Sequence, residues 1–215
     1  FNYEQFVELP KATANQLAEE THERVGAVIG SIVMAIVVIM FYFKGSFNFD
    51  KNAKFLKKLA QIWVFLNVIL VISAILKNTE YVYYLGLTYK RLGVYAFLSL
   101  AIIGLIFTFV KIQKQKTNAY LFNQMFWYVY GTILVCSFIN WGGIITSHNL
   151  KREDFAANYH FNSVDFNDKQ LLEYYQKTNN KEMYKILKDK IIARQNESFL
   201  SKVLYDESIS FNESE

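Results

Sequence analysis

Long apolar stretches alternate with short polar segments over the N-terminal part of the chain. A bilayer core about 30 Å thick is crossed by about 20 helical residues, and four stretches approach that length. Val25 to Phe43 has nineteen residues without a charge, and Leu59 to Leu76 has eighteen. The charge-free part of the third stretch ends at Val110, before Lys111. The pattern predicts an all-α, polytopic membrane protein with transmembrane helices near 25–43, 59–76, 93–112 and 121–146.

The chain changes character after Thr146, where charges of both signs become frequent and no apolar stretch could cross a membrane. The segment "KEMYKILKDKIIARQ" places apolar residues on one helical face, namely Met183, Ile186, Leu187 and Ile191. The segment "SFLSKVLYDE" does the same with Phe199, Leu200, Val203 and Leu204. Asp168 is expected to start another helix. The predicted organisation is therefore a polar flank (1–24), a four-helix transmembrane region (25–146) and a polar tail of short amphipathic helices (147–215).

The segment "EYVYYLGLTYKR", Glu80 to Arg91, lies between the second and third apolar stretches. Its four Tyr, among them Tyr84, suit a membrane interface because the ring is apolar while the hydroxyl reaches water. Gly86 would allow a tight turn, Thr88 would cap the following helix, and Arg91 would reach headgroup phosphates. The segment is expected to be a loop that anchors the third helix. A binding site for an acidic partner or a lipid headgroup is the alternative.

Small residues recur at a spacing of four in the first apolar stretch. Gly26 and Gly30 form one such ribbon, and Ala27, Ser31 and Ala35 form a second. Small residues at this spacing allow another membrane helix to approach closely, so both ribbons are expected to be packed against other helices. Ala101, Gly104 and Thr108 have the same role in the third stretch.

A polar stripe follows helical spacing in the fourth stretch, formed by Thr132, Cys136, Asn140 and Gly143. Polar atoms in hydrocarbon need partners, so this face is expected to point into the bundle, with Asn67 as a candidate partner. It could make hydrogen bonds between helices or line a cavity or substrate path.

Composition narrows the function classes. The chain is 53% apolar and 20% charged, its net charge of +4 comes from scattered Lys, and it has one Cys. These features exclude an internal disulfide framework and give no sign of nucleic-acid binding. Lys and Arg near the span ends number eight on one side and seven on the other, so the positive-inside rule leaves the orientation open.

Candidate chemistry is sparse. The centres of the predicted spans hold no ionisable side chain, which argues against a proton- or ion-coupled pump. Glu19 and His22 could present two metal ligands on one helical face, but a solvated helix end is the favoured interpretation. His148 and His160 have no triad partners nearby in the sequence. We therefore expect no catalytic residue, no metal site and no cofactor.

Several segments together resemble a family of bacterial multi-pass proteins, the domain of unknown function 4153, with a sister family numbered 4173. The family signature is an aromatic-Tyr-x-x-Tyr-Gly-Leu-Thr-x-x-Arg run that opens a membrane helix. Gly86, Leu87, Thr88 and Arg91 match it, while Leu85 stands where the family has Tyr. The segments "SIVMAIVVIMFYFKGSFNF" and "NWGGIITSHNL" are also similar. The resemblance implies a longer inner-membrane protein with further helices before Phe1, and the composition is similar to members from Bacteroidota. It implies no activity.

Three functions remain open at this level. The favoured one is a non-enzymatic membrane component, a scaffold or accessory subunit that docks other membrane subunits, or upstream helices of the same protein, through its helix faces and tail. The alternative is a transporter or lipid-handling protein with a path along Thr132, Cys136 and Asn140. A membrane enzyme that uses residues before Phe1 is the third, and a cavity at the polar stripe would favour the second over the first.

Overall fold

The computed structural model describes residues 11–43, 48–50, 52–197 and 203–209, with side chains from residue 26 onward. These residues are helical or irregular, and none of them is in a strand. The chain divides into two compact units, Phe1–Phe138 and Ile139–Glu215. The boundary lies eight residues before the start expected for the tail, which was 147 (139 against 147).

The described residues of the first unit form four helices: α1 (Lys11–Tyr42), α2 (Lys54–Leu85), α3 (Tyr89–Gln113) and α4 (Asn118–Ser137). Each packs against the next along the chain, and α1 also contacts α3. Each helix begins before the apolar stretch that predicted it, ends after it, or does both. Helix α1 begins fourteen residues before Val25 (25 against 11), so the flank expected to be merely polar is helical from Lys11.

The buried stripe of α2 follows steps of three and four residues. Such steps keep side chains on one narrow face of the helix, as in the seam of a left-handed bundle. The buried residues of α2 are Ala60, Val64, Asn67, Val71, Ala74, Asn78 and Val82. Helix α3 repeats the steps through Leu98, Ala101 and Leu105, and α1 does so through Ile32, Ala35 and Ile39. These stripes form the core of the unit, and the remaining apolar faces are uncovered by the described residues.

Two helices of the described chain, α2 and α3, are each long and apolar enough to cross a membrane. The apolar part of α1, Gly26–Tyr42, is shorter, and α4 qualifies only together with the helix that follows it. The single helix expected over 121–146 is broken: α4 ends at Ser137 and α5 begins at Trp141. Asn140 causes the new start, because its side chain accepts the Gly143 N–H at 2.9 Å as an N-cap. Apolar composition carries no information about such a break.

In the second unit, residues 139–197 and 203–209 are described, and they form five helices: α5 (Trp141–Asn149), α6 (Ala157–Ser163), α7 (Asp168–Lys177), α8 (Lys181–Gln195) and α9 (Leu204–Glu207). Helix α7 contacts α5, α6 and α8, and α8 contacts α9. The unit has its own core, formed by Leu171, Leu172, Tyr175, Leu187, Ile191 and Ile209.

The face expected for α8 is partly wrong. Leu187 and Ile191 are fully buried, while Ile186 is 46% exposed. The core residues of α7 cover a narrower part of α8 than the apolar face predicted from the spacing of its residues. The helix expected in "SFLSKVLYDE" is the single turn α9, whose Leu204 is 85% exposed. Phe199 and Leu200 lie outside the described residues.

Candidate functional site

A buried polar network connects α5, α6 and the turn before α7. Thr146 and His160 are almost fully buried, and the hydroxyl oxygen of Thr146 lies 2.9 Å from Nδ1 of the imidazole. The amide nitrogen of Asn149 lies 3.2 Å from Nε2 on the other side of the ring. Asn167 donates from its Nδ2 to the Thr146 hydroxyl and to the His160 carbonyl, both at 2.9 Å. Every polar atom named here has a partner, as buried polar groups require.

These contacts assign the His160 ring as neutral. When the Asn149 amide donates to Nε2, that nitrogen accepts and Nδ1 carries the proton, which it donates to Thr146. Burial lowers the pKa of His160 below its usual value of 6.5, which agrees with a neutral ring. The ring of Phe155 stacks on the imidazole with centroids 4.7 Å apart. The sequence shows this His only as part of a polar segment.

A charged cluster joins α7, α8 and α9. Nη2 of Arg194 lies 2.7 Å from a carboxylate oxygen of Asp168 and 3.0 Å from one of Asp206. The second contact is a close ion pair that lacks hydrogen-bond geometry. Burial raises the pKa of Asp206, and the Arg194 charge opposes that rise. The cluster joins three helices of the unit, and its two carboxylates are buried while the Arg194 side chain is partly exposed, which favours a structural role.

An open depression of about 470 Å³ lies on α5. Its wall follows one helical face, from Asn140 through Gly143, Ile144, Ser147 and His148 to Lys151, and Gln170 of α7 completes it. Ligand sites in proteins commonly have volumes of about 300–1,000 Å³. The depression therefore has room for a small molecule.

The corner between α2 and α3 is short. Tyr81, Tyr83 and Tyr84 lie on the last turns of α2, so the loop expected over Glu80 to Arg91 is reduced to Gly86, Leu87 and Thr88. Helix α2 continues to Leu85 because the Gly86 N–H still bonds to the Val82 carbonyl at 2.9 Å. The ring of Tyr83 is 74% exposed, while Tyr84 is partly covered and packs edge-on against it.

Gly86, Thr88 and Arg91 act together in this corner. Gly86 has φ of 80°, a conformation that L side chains rarely adopt. Thr88 is the N-cap of α3, and its hydroxyl lies 3.5 Å from the Arg91 N–H. The Arg91 guanidinium donates to the Leu85 carbonyl at 2.8 Å and also to the Gly86 carbonyl, and it lies 4.0 Å from the centre of the Tyr81 ring. Arg91 thus satisfies the carbonyl oxygens at the end of α2.

A second polar cluster lies at the other end of the first unit. The Lys111 side chain is fully buried, and its ammonium donates to Asn118. Asn118 in turn donates to the carbonyl of Met40 at 3.2 Å. Asn48 donates to the carbonyls of Lys116 at 2.8 Å and of Lys111 at 3.3 Å. The cluster ties the ends of α1 and α3 to the start of α4, and the sequence suggests only a Lys that flanks a span.

The ribbons predicted in α1 are uncovered in the described chain. Gly26 and Gly30 are exposed, and a Cβ added to either would meet nothing within 4 Å. Ala27 and Ser31 are exposed as well, while Ala35 belongs to the buried stripe. The physical reason is that α2 and α3 pack on the branched side of α1, through Ile32 and Ile39.

The small residues of α3 do pack. Ala101 and Thr108 are buried, and a Cβ at Gly104 would lie 3.5 Å from the Met125 side chain of α4. The Thr108 hydroxyl donates to the Gly104 carbonyl at 2.7 Å, within its own helix.

The polar stripe expected along the fourth span is divided by the break. Thr132 donates to the Tyr128 carbonyl at 2.7 Å, and Cys136 lies near the end of α4, while Asn140 and Gly143 belong to α5. Asn67 donates to Trp63 at 2.8 Å in its own helix and makes no described bond with the stripe. A single polar face over these residues was therefore the wrong prediction.

Comparisons with known proteins add a family assignment. No curated protein and no solved structure matches the chain. The family model described as Domain of unknown function (DUF4153) matches residues 1–172. This range holds the first unit and the α5 to α6 part of the second, including the buried His160 network and the depression, and it stops before α8. The chain belongs to the DUF4153 family, whose function is unknown.

Proposed function

We propose that the chain is a multi-pass component of a bacterial inner membrane that serves as a scaffold or accessory subunit rather than an enzyme. In this proposal α1, α2, α3 and the broken pair α4 and α5 supply four crossings. Other membrane subunits, or further helices of the same protein, dock on the uncovered helix faces, and the lipid bilayer covers the rest. Nucleic acid is not among the partners.

The uncovered small-residue ribbon of α1 is the observation that carries the proposal. Gly30 lies two residues from the buried Ile32, which places it about 200° around the helix, on the opposite side. Gly26 and Gly30 therefore present an open backbone surface away from the bundle. Such ribbons in membrane helices are typically contacted by another helix, because close backbone approach supplies the packing that lipid cannot.

Site-specific photo-crosslinking in native membranes tests this proposal. A photoreactive residue at Gly30 is expected to capture protein, and the same residue at Ile106, which is 52% exposed on α3, serves as the control for lipid-facing surface. Protein adducts at Gly30 with lipid adducts at Ile106 support docking. Lipid adducts alone at both positions would remove the scaffold proposal.

Lipid handling remains a second candidate because of the depression on α5. It is lined by Asn140 and Gly143, two residues of the predicted polar stripe. Thr132 and Cys136 do not line it, so what it favours is a binding site beyond the break rather than a path along the whole fourth span.

A further inference from the structure

The depression on α5 owes its shape to small residues on one helical face. Gly143 and Ser147 are separated by one turn, and they lie among the larger Asn140, Ile144 and His148. A Cβ at Gly143 would lie 3.0 Å from the amide nitrogens of Asn140 and Gln170. The floor is therefore closely packed and can hold only glycine without a shift of its neighbours.

The floor is also held in place by hydrogen bonds. Asn140 accepts the Gly143 N–H at 2.9 Å and donates to the carbonyl of Phe166 at 2.8 Å. Phe166 has a positive φ of 57°, so this bond supports a turn in an unusual conformation. Both ends of the Asn140 amide are occupied, which leaves other side chains to contact a ligand.

Positive charge at the depression is not neutralised within the described chain. The Lys151 ammonium has no carboxylate partner among the described residues, although two acidic residues follow it closely in sequence. One of the two, Asp154, is engaged by Arg152 through two hydrogen bonds of 2.9 Å. An exposed cation without a carboxylate partner, beside a concave surface that is mostly apolar, favours an anionic ligand that also has apolar atoms.

The arrangement of the donors selects among anions. Lys151 follows α5 and the Ser147 hydroxyl lies on α5, so their N–H and O–H groups come from separate backbone positions. A carboxylate is planar and pairs best with the fork of an arginine, while a tetrahedral phosphate accepts from several directions and pairs well with lysine. The partly exposed side chain of Ile144 supplies an apolar wall for the carbon atoms of an ester.

We propose that this depression binds a glycerol phosphate group, with the phosphate at Lys151 and Ser147 and the carbon chain against Ile144. The group could belong to a phosphatidylglycerol headgroup or to a soluble phosphate ester. This inference rests on the lipid-handling candidate above, and it names that candidate's ligand class without requiring transport.

Binding to the full chain in detergent tests the inference. Native mass spectrometry would count retained phosphatidylglycerol, with phosphatidylcholine as the comparison lipid, and calorimetry would measure sn-glycerol 1-phosphate. Lys151→Gln is expected to weaken binding by about tenfold or more, since a charge-assisted contact is lost. Ser147→Leu fills the depression from an exposed position and is expected to abolish binding. Lys181→Gln removes an exposed charge on α8 and is the matched control, with unchanged affinity expected.

The possible results distinguish a lipid headgroup from a soluble ester as the ligand, and a binding site from lipid transport. Binding of phosphatidylglycerol alone assigns the lipid, and binding of sn-glycerol 1-phosphate alone assigns the soluble ester, provided that Lys151→Gln weakens either one. Equal binding of both lipids, equal loss in Lys181→Gln, or no binding of any probe would overturn the inference. Specific binding without lipid movement across reconstituted vesicles would keep the site and remove the transport part of the candidate function.

Discussion

The two units of this chain bury their side chains in opposite ways. In the first unit α2 and α3 are apolar around most of their circumference, and only about a quarter of the most apolar window of each is covered (28% in each). In the second unit six apolar residues form a separate core, and charged side chains are frequent from Lys151 onward. The difference indicates different surroundings: lipid can cover the exposed apolar faces of the first unit, whereas α7 and α8 each bury one apolar face and leave polar side chains uncovered, as helices at a water-facing surface do.

The hydrogen-bond partners of buried polar side chains also differ between the two units. In the first unit buried Asn and Thr side chains bond mostly to backbone carbonyls, as Asn67 does to Trp63 and Thr108 does to Gly104. In the second unit they bond to one another around His160, and Arg194 pairs with two carboxylates. Side-chain networks specify one arrangement of short helices that local hydrogen bonds alone would not select.

The largest expected effect concerns the core of the second unit. Leu187→Ala should destabilise α8 by about 2–5 kcal/mol, because a fully buried Leu leaves a cavity. Ile186→Ala changes the neighbouring residue, which is 46% exposed, and should cost much less. Hydrogen exchange of 181–195 in the full chain measures both. Equal losses from the two variants would mean that α8 is not packed as a water-soluble helix.

A glycine pair tests the packing of the first unit. Gly104→Leu should destabilise the bundle by about 1–3 kcal/mol, since Met125 lies against this position. Gly30→Leu should change stability by no more than about 1 kcal/mol in the isolated chain, because its surroundings are open and leucine favours a helix. Thermal melting in detergent compares them. A large loss for Gly30→Leu alone would place a neighbour against α1 that the described residues do not supply.

A smaller loss of stability is expected from a substitution in the corner between α2 and α3. Arg91→Lys should cost about 1–2 kcal/mol, because one ammonium cannot replace a guanidinium that donates to two carbonyls and stacks on Tyr81. Lys90→Gln alters the adjacent exposed residue and is the control. Melting and hydrogen exchange of 82–92 report the effect. If hydrogen exchange were unchanged in Arg91→Lys, the contacts of Arg91 with the end of α2 would not stabilise the corner. Arg91 would then act only as the headgroup anchor expected from the sequence.

The buried imidazole makes the second unit sensitive to acid. Unfolded His160 titrates near pH 6.5, and burial lowers its pKa in the folded state. Between these two pKa values the unfolded chain binds a proton that the folded chain does not. The stabilisation is therefore complete above about pH 6.5 and declines below it, by at most about 1.4 kcal/mol per pH unit.

Hydrogen exchange of α5 and α6 at about pH 7.5 and pH 5, corrected for intrinsic rates, measures this dependence. His160→Gln should flatten it, while His148→Gln, at an exposed position, should leave it unchanged. A loss of protection at pH 5 that persists in His160→Gln would assign the dependence to another group. Asp206 would act in the opposite direction, because its raised pKa favours the folded state as the pH falls.

Local patterns in the sequence were sufficient for two helices of the first unit and for the corner between them. Charge-free stretches located α2 and α3, and the resemblance to the family is confirmed by the match over residues 1–172. The glycine at position 86 and the threonine at position 88 indicated the corner, because a positive φ and an N-cap each select residue types directly. What these signals share is that the physical cause lies within a few residues of the chain.

Tertiary structure decided what depends on partners far along the chain. The sequence does not show that Lys111 is buried beside Asn118, that His160 lies between Thr146 and Asn149, or that the stripe through Thr132 and Asn140 is divided. Periodicity says which residues share a helix face, but the energy of a buried polar group depends on the atoms that the fold brings to it. The ribbon of Gly26 and Gly30 illustrates the limit, because small residues permit close packing and only the neighbouring helices determine whether it occurs.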